Sequence, residues 1–229
     1  MVPGRSQHER RGRSSLAEGR EQVGYNPGVV LAGQFLERPA LVDAGGFVLE
    51  ALYHRGARRP ALLVCPPTGG GAGMDSAAVA ELAWAAARAG LPSLRFQHRG
   101  VGASQGEADP RRAVDDAAAA LAHLGETAGR RIAIAGVGDG AATALALARL
   151  HPEVDRIALV SPAEPPVGPL PVARVLVVLP EDRAAEASAL VAPLGERGAV
   201  EIVAGADALF RAGLPGLGRA VVAFVTGRG

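Results

Sequence analysis

The segment Arg131–Ala142, RIAIAGVGDGAA, carries a continuous apolar run into a glycine-rich turn and then into an alanine-rich stretch. A strand that turns sharply into a helix can hold a nucleophile clear of its neighbours. In the pattern G-x-S-x-G the serine sits at the apex, and only small residues fit two places to either side. Here Gly136 and Gly140 hold the flanking places and the apex is Gly138, which has no side chain to attack a carbonyl. Asp139, one place beyond, reads either as a displaced nucleophile or as an acid favoured by the positive end of the helix dipole. Cys65 reads either as a small apolar residue or as an alternative thiol nucleophile. The stretch GVGDGA also satisfies G-x-G-x-x-A, with Glu164 after the next strand able to approach a ribose, which is the pattern of a dinucleotide site.

These residues must be positioned by the elements around them. Short apolar runs predict strands at Phe47–Tyr53, Ala61–Cys65, Leu94–Phe96, Arg131–Ala135, Arg156–Val160, Arg174–Leu179 and Val200–Val203. Helices are expected from a cap at Asp75 or Ser76 to Gly90, from Asp109 and Pro110 through Leu124 with Gly125 as the stop, and over Asp139–Leu150, Arg183–Leu194 and Leu214–Val225. Strands alternating with helices at this spacing predict an α/β fold: one mostly parallel sheet flanked by helices on both faces. The connection Ser161–Pro171, SPAEPPVGPLP, is too short for a folded lid, so a cleft above the sheet is expected to be open.

The chain has 229 residues, enough for one domain with a sizeable core. Hydrophobic residues make up 48% but aromatics only 3%, so the core is expected to be built of Ala, Val and Leu. All 24 basic residues are arginine, and the net charge of +1 gives no bulk attraction to nucleic acid or membrane. A single cysteine excludes an internal disulfide and a cysteine-rich metal site, and no apolar run reaches the length of a membrane span. Residues 1–27, with Arg5, Arg10, Arg11, Arg13 and Arg20, are expected to form a disordered basic tail; a basic arm for an acidic partner and an over-extended gene start are the alternatives. The folded domain is expected over residues 28–229, in the cytoplasm.

Two further segments carry a resemblance. CPPTGGGAGMD, from Cys65 to Asp75, resembles HPHP-x-x-GG-x-MD, and RFQHRGVGASQG, from Arg95 to Gly106, resembles RF-x-x-RGVG-x-S-x-G. Both motifs belong to small lidless bacterial α/β-hydrolases, and with GVGDGAA they occur in order after successive strands, so the likeness spans roughly Phe47 to Val225. The resemblance implies a serine nucleophile, an acid and a histidine in that chain order. It places the nucleophile at Gly138, the acid at Asp182 in VVLPEDR, and the histidine at Ala208, where G-A-D-H-F-F is replaced by Gly205–Phe210. The five histidines, His8, His54, His98, His123 and His151, all precede Asp182. A relay in the family's order therefore lacks both nucleophile and base. The family's RGVG loop, which holds His98 and Ser104, is read as structural.

The leading expectation is a non-catalytic α/β-hydrolase-fold protein that binds a small ligand or a protein partner, with no cofactor, no metal, no nucleic acid and no membrane. Its pocket candidates are Pro67, Thr68, Gly69, Gly70, Val137, Gly138 and Asp139, because backbone N–H groups at a helix start favour an anion. The alternatives are an ester or acyl hydrolase with an atypical nucleophile, and a dinucleotide-binding protein.

Overall fold

The computed structural model describes residues 1, 36–69, 73–168, 170 and 174–228. Apart from Met1, the expected tail lies outside the described residues, as do the start of the domain at residue 28 and the candidate Gly70. Among the described residues eight strands form one sheet: β1 (Glu37–Asp43), β2 (Val48–His54), β3 (Ala61–Cys65), β4 (Ser93–Phe96), β5 (Ile132–Val137), β6 (Arg156–Val160), β7 (Arg174–Pro180) and β8 (Gly198–Val203). Their spatial order is β1-β2-β4-β3-β5-β6-β7-β8. Strands from β4 to β8 are parallel, and β1 and β2 are antiparallel additions.

Five helices among the described residues cover the sheet: α1 (Ala77–Arg88), α2 (Ala113–Ala128), α3 (Gly140–Leu150), α4 (Ala187–Val191) and α5 (Leu214–Thr226). Helices α2, α3 and α4 pack on one face, with Leu63, Phe96, Leu124, Leu147 and Leu190 in the core between. Helices α1 and α5 cover the other, around Val64, Leu82, Val178, Leu217 and Val221. Both β3 and β5 are buried throughout, which accounts for their continuous apolar runs. No helix among the described residues is long and apolar enough to cross a membrane.

Four local expectations are corrected. Strand β1 was not expected: only Val42 of its seven residues is buried and it contains Pro39, as an edge strand allows but a hydrophobic-alternation reading does not detect. Helix α2 continues past Gly125 to Ala128 and stops at Gly129, which adopts φ +87° and donates to the Gly125 carbonyl oxygen. The helix expected over Arg183–Leu194 is instead a short α4 between two 3-10 turns, Glu181–Glu186 and Ala192–Arg197. Pro193 cannot donate a helical hydrogen bond, and within the expected span only Leu190 and Leu194 are buried, so there is little apolar face to hold a longer helix. Strand β8 begins at Gly198, two residues before the expected Val200.

The strand order fixes where a site can form. From β3 the chain crosses to β4 on one side, and β5 through β8 then continue on the other. This reversal opens a crevice at the carboxyl ends of β3 and β5, the usual ligand position in an open parallel sheet. The loop from Pro66 and the turn at Gly138 meet there.

Candidate functional site

The turn after β5 is governed by close backbone contacts. A Cβ placed on Gly136 would lie 2.4 Å from the Gly140 carbonyl oxygen, and one on Gly140 would lie 2.4 Å from that of Pro66. Neither position tolerates a side chain without moving backbone. Gly138 differs: among the described residues its nearest neighbour would be Pro67 Cγ at 3.9 Å, so these leave room for a side chain at the apex, which carries none. Gly138 adopts φ +60°, and its N–H donates to the Val160 carbonyl oxygen at 2.9 Å. The turn therefore retains a left-handed apex flanked by two sterically required glycines.

Asp139 is committed across the crevice. Its Oδ1 accepts the Thr68 N–H at 3.0 Å and its Oδ2 accepts the Thr68 hydroxyl at 2.5 Å. This ties the loop after β3 to the start of α3. In an elbow site the oxyanion is held by the N–H after the apex together with one from the loop after β3. Here the Asp139 N–H makes no hydrogen bond among the described residues, but the Thr68 N–H is bound by a carboxylate. A second negative charge at this point would meet Asp139 directly, which opposes an oxyanion as well as the pyrophosphate of a dinucleotide. Glu164 is exposed in the connection after β6.

The structure brings Pro67, Thr68, Gly69, Val137, Gly138 and Asp139 together at this crevice. Pro67, Thr68 and Gly138 are half-buried, Val137 is buried, and Gly69 and Asp139 are exposed. Asp182 lies in the exposed turn after β7, and its carboxylate makes no hydrogen bond among the described residues. Ala208 is exposed in the loop after β8. That loop is closed by other groups: Glu181 Oε2 accepts the Gly205 N–H at 2.7 Å, and Asp207 accepts from both the backbone and the guanidinium of Arg211. Phe210, with φ +51°, is buried beneath.

The remaining nucleophile candidates are placed elsewhere. Cys65 is fully buried at the end of β3, and burial pushes its thiol up to about 12, which removes the thiolate needed for attack. Ser104 donates to the Gln97 carbonyl oxygen and accepts from the Glu50 N–H, pinning the RGVG loop to β2. His98 is buried, with Nδ1 3.4 Å from Asp116 Oδ2. Asp116 is itself fully buried and accepts from the backbone and guanidinium of Arg99. Burial raises its pKa, but the neighbouring His98 and the hydrogen bonds from Arg99 outweigh that and hold the carboxyl below its ordinary value. Among the described residues no cluster of three or more His, Cys, Asp or Glu side chains is arranged to hold a metal ion.

One residue at the carboxyl edge carries no type or spacing signal. Ser161 follows β6, adopts φ +45°, and buries its hydroxyl oxygen without a hydrogen-bond partner among the described residues. Left-handed backbone at a non-glycine residue is stored strain of a kind that clusters at functional sites. Only the fold reveals it, since serine before proline otherwise reads as an ordinary loop start.

Comparisons with known proteins agree with this fold. Residues 61–189, more than half of the chain, match the family described as Serine aminopeptidase, S33. A lidless α/β serine hydrolase from Xanthomonas campestris is 21% identical, with a TM-score of 0.71 over 83% of this chain and 94% of its own. A putative α/β-hydrolase of unknown function from Agrobacterium tumefaciens is 23% identical, with a TM-score of 0.69 over 84% and 96%. An α/β serine hydrolase homologue from Coxiella burnetii is 25% identical, with a TM-score of 0.67 over 81% and 95%. Among curated proteins, none matches the sequence.

Proposed function

The chain belongs to the serine aminopeptidase family S33, within the α/β-hydrolase fold, and we propose that it is a non-catalytic member that binds a small ligand or a protein partner in the cytoplasm. The observation that carries this reading is the apex at Gly138. The turn that would present a nucleophile is intact and has room for a side chain, yet the residue there supplies none. The absence of any histidine after Asp182 in the sequence supports it independently, because no base follows the acid in the family's order.

The oxyanion side of the site supports the same reading. When a serine protease loses its triad, about 10³ to 10⁴ of rate acceleration survives through the oxyanion hole and substrate binding. Here the loop donor Thr68 is already bonded to Asp139, so even that residue of catalysis is opposed. The crevice suits a neutral or polar ligand better than an anion. Beside Asp139 it offers Pro67, Thr68 and Gly138, whose added Cβ would approach Pro67 Cγ at 3.9 Å.

Treatment of the folded protein with a fluorophosphonate probe tests the proposal: no serine is expected to label, and stoichiometric labelling overturns it. Short-chain acyl nitrophenyl esters offered to the parent and to Asp139→Ala, Cys65→Ala and Asp182→Ala are expected to hydrolyse no faster than in buffer. Turnover lost in one of these variants would instead establish an acyl hydrolase with an atypical nucleophile.

A further inference from the structure

The two edges of the sheet are finished differently. Edge strand β1 contains Pro39 and the charged residues Glu37, Arg38 and Asp43, which discourage another strand from pairing. Edge strand β8, GAVEIV, has no proline and one charge, Glu201, and Val200 is 40% exposed. Strand β8 pairs only with β7, and residues Ala199–Ile202 make no other backbone hydrogen bond among the described residues.

A groove of about 750 Å³ runs beside this open edge, between β8 and α5. Every residue from Gly198 to Ala204 lines it, so it follows the whole strand, roughly 20 Å at the usual rise. Its apolar wall includes Leu176, Ala220 and Phe224. Among the described residues Arg156, Arg174, Arg197 and Arg219 line it with Glu196 and Glu201, and Glu81 of α1 lies near Arg219 from outside the groove. Arg156 and Arg197 each hold a backbone carbonyl, of Phe224 and Leu170 respectively. Arg174 and Arg219 make no side-chain hydrogen bond or salt bridge among the described residues.

We propose that this groove receives an extended acidic segment of a partner protein, which adds a strand to β8 and sets its carboxylates against Arg174 and Arg219. An open edge supplies the main-chain hydrogen bonds of strand addition, and alternate side chains of the segment would face the apolar wall. Charge selects among occupants. The chain's own residues 1–35 carry five arginines and three glutamates, and so do not complement the groove. A second copy paired edge to edge would bring another four arginines with its two glutamates, adding like charge to like. A small anion would engage the arginines but leave most of the strand edge unpaired.

Fluorescence anisotropy with the full-length protein and a labelled ten-residue peptide alternating valine and glutamate tests the proposal. Saturable binding is expected, weakening as salt rises, with none to the same peptide carrying arginine in place of glutamate. The pair Arg174→Glu and Arg219→Glu is expected to weaken binding at least about tenfold, and Arg174→Gln with Arg219→Gln to fall between, circular dichroism confirming that all variants fold. Equal binding of both peptides, no binding of either at about 1 mM, or no change in the reversed variant overturns the proposal. Sedimentation showing a dimer that excludes the peptide assigns the edge to a second copy, and octanoate binding without peptide binding assigns the groove to a small anion; each also overturns it. Labelling by fluorophosphonate would overturn the non-catalytic reading and leave this one standing.

Discussion

At the turn after β5 a Cβ on Gly136 or Gly140 would sit 2.4 Å from a carbonyl oxygen, whereas in the loop after β8 the same construction on Gly205 meets nothing within 4 Å. One end of the site is shaped by contact between β3, β5 and α3, and the other is an exposed loop closed by Glu181 and Asp207. The first can keep its form whatever chemistry it serves, because packing alone requires it. Gly138, free of such contacts, is the one place in the turn where only chemistry would ask for a side chain. An intact glycine turn therefore describes architecture, and the apex residue and the acid and histidine positions must carry any claim about activity.

The comparison breaks most visibly if the turn's side of the molecule proves soft. Its neighbouring loop rests on Asp116, fully buried between Arg99 and His98, and Asp116→Ala is expected to cost about 3 kcal/mol by leaving the half-buried Arg99 guanidinium and its backbone N–H without their partner. Urea denaturation measures this. Because the folded pKa of Asp116 is depressed, its contribution is complete above the ordinary carboxyl value of about 3.9 and is lost as pH falls through the folded value. Denaturation midpoints taken from pH 6 to pH 2 should therefore decline less steeply in the variant than in the parent.

Within the turn itself, Gly140→Ala is expected to destabilise by about 3 kcal/mol, since the added carbon meets the Pro66 and Cys65 carbonyl oxygens and backbone has to shift. Gly138→Ala should cost about 1–2 kcal/mol, the penalty of a left-handed alanine without a clash. Thermal or urea melts that reverse this order would mean that the apex, not its flanks, holds the turn together. On the opposite side, Asp182→Asn removes an exposed charge with no hydrogen bond and is expected to change stability by no more than about 0.5 kcal/mol. A large loss there would show that the acid position is structurally engaged, and would sharpen the contrast in the other direction.

Much of the frame was legible in the residues because its signals are local. The buried run ALLVC, the strand-to-helix passage through GVGDG and the cap at Ser76, which accepts the Val79 N–H, each follow from neighbours in the chain. Elements held by distant contacts were less legible. Strand β1 is recognised through its seven-residue pairing with β2 rather than by a pattern of its own.

The sequence by itself determined which atoms are available. It leaves no side chain at Gly138, no histidine beyond Asp182 and one thiol, and its alternation of strands and helices specifies a mostly parallel sheet covered on both faces. Only the tertiary structure decided how those atoms are spent. It joins Thr68 to Asp139 across 71 positions of chain, buries Cys65, strains Ser161 and, among the described residues, leaves β8 open beside four arginines. Atom types are a property of each residue alone, but hydrogen bonding, desolvation and free edges depend on which distant segments the sheet order sets side by side.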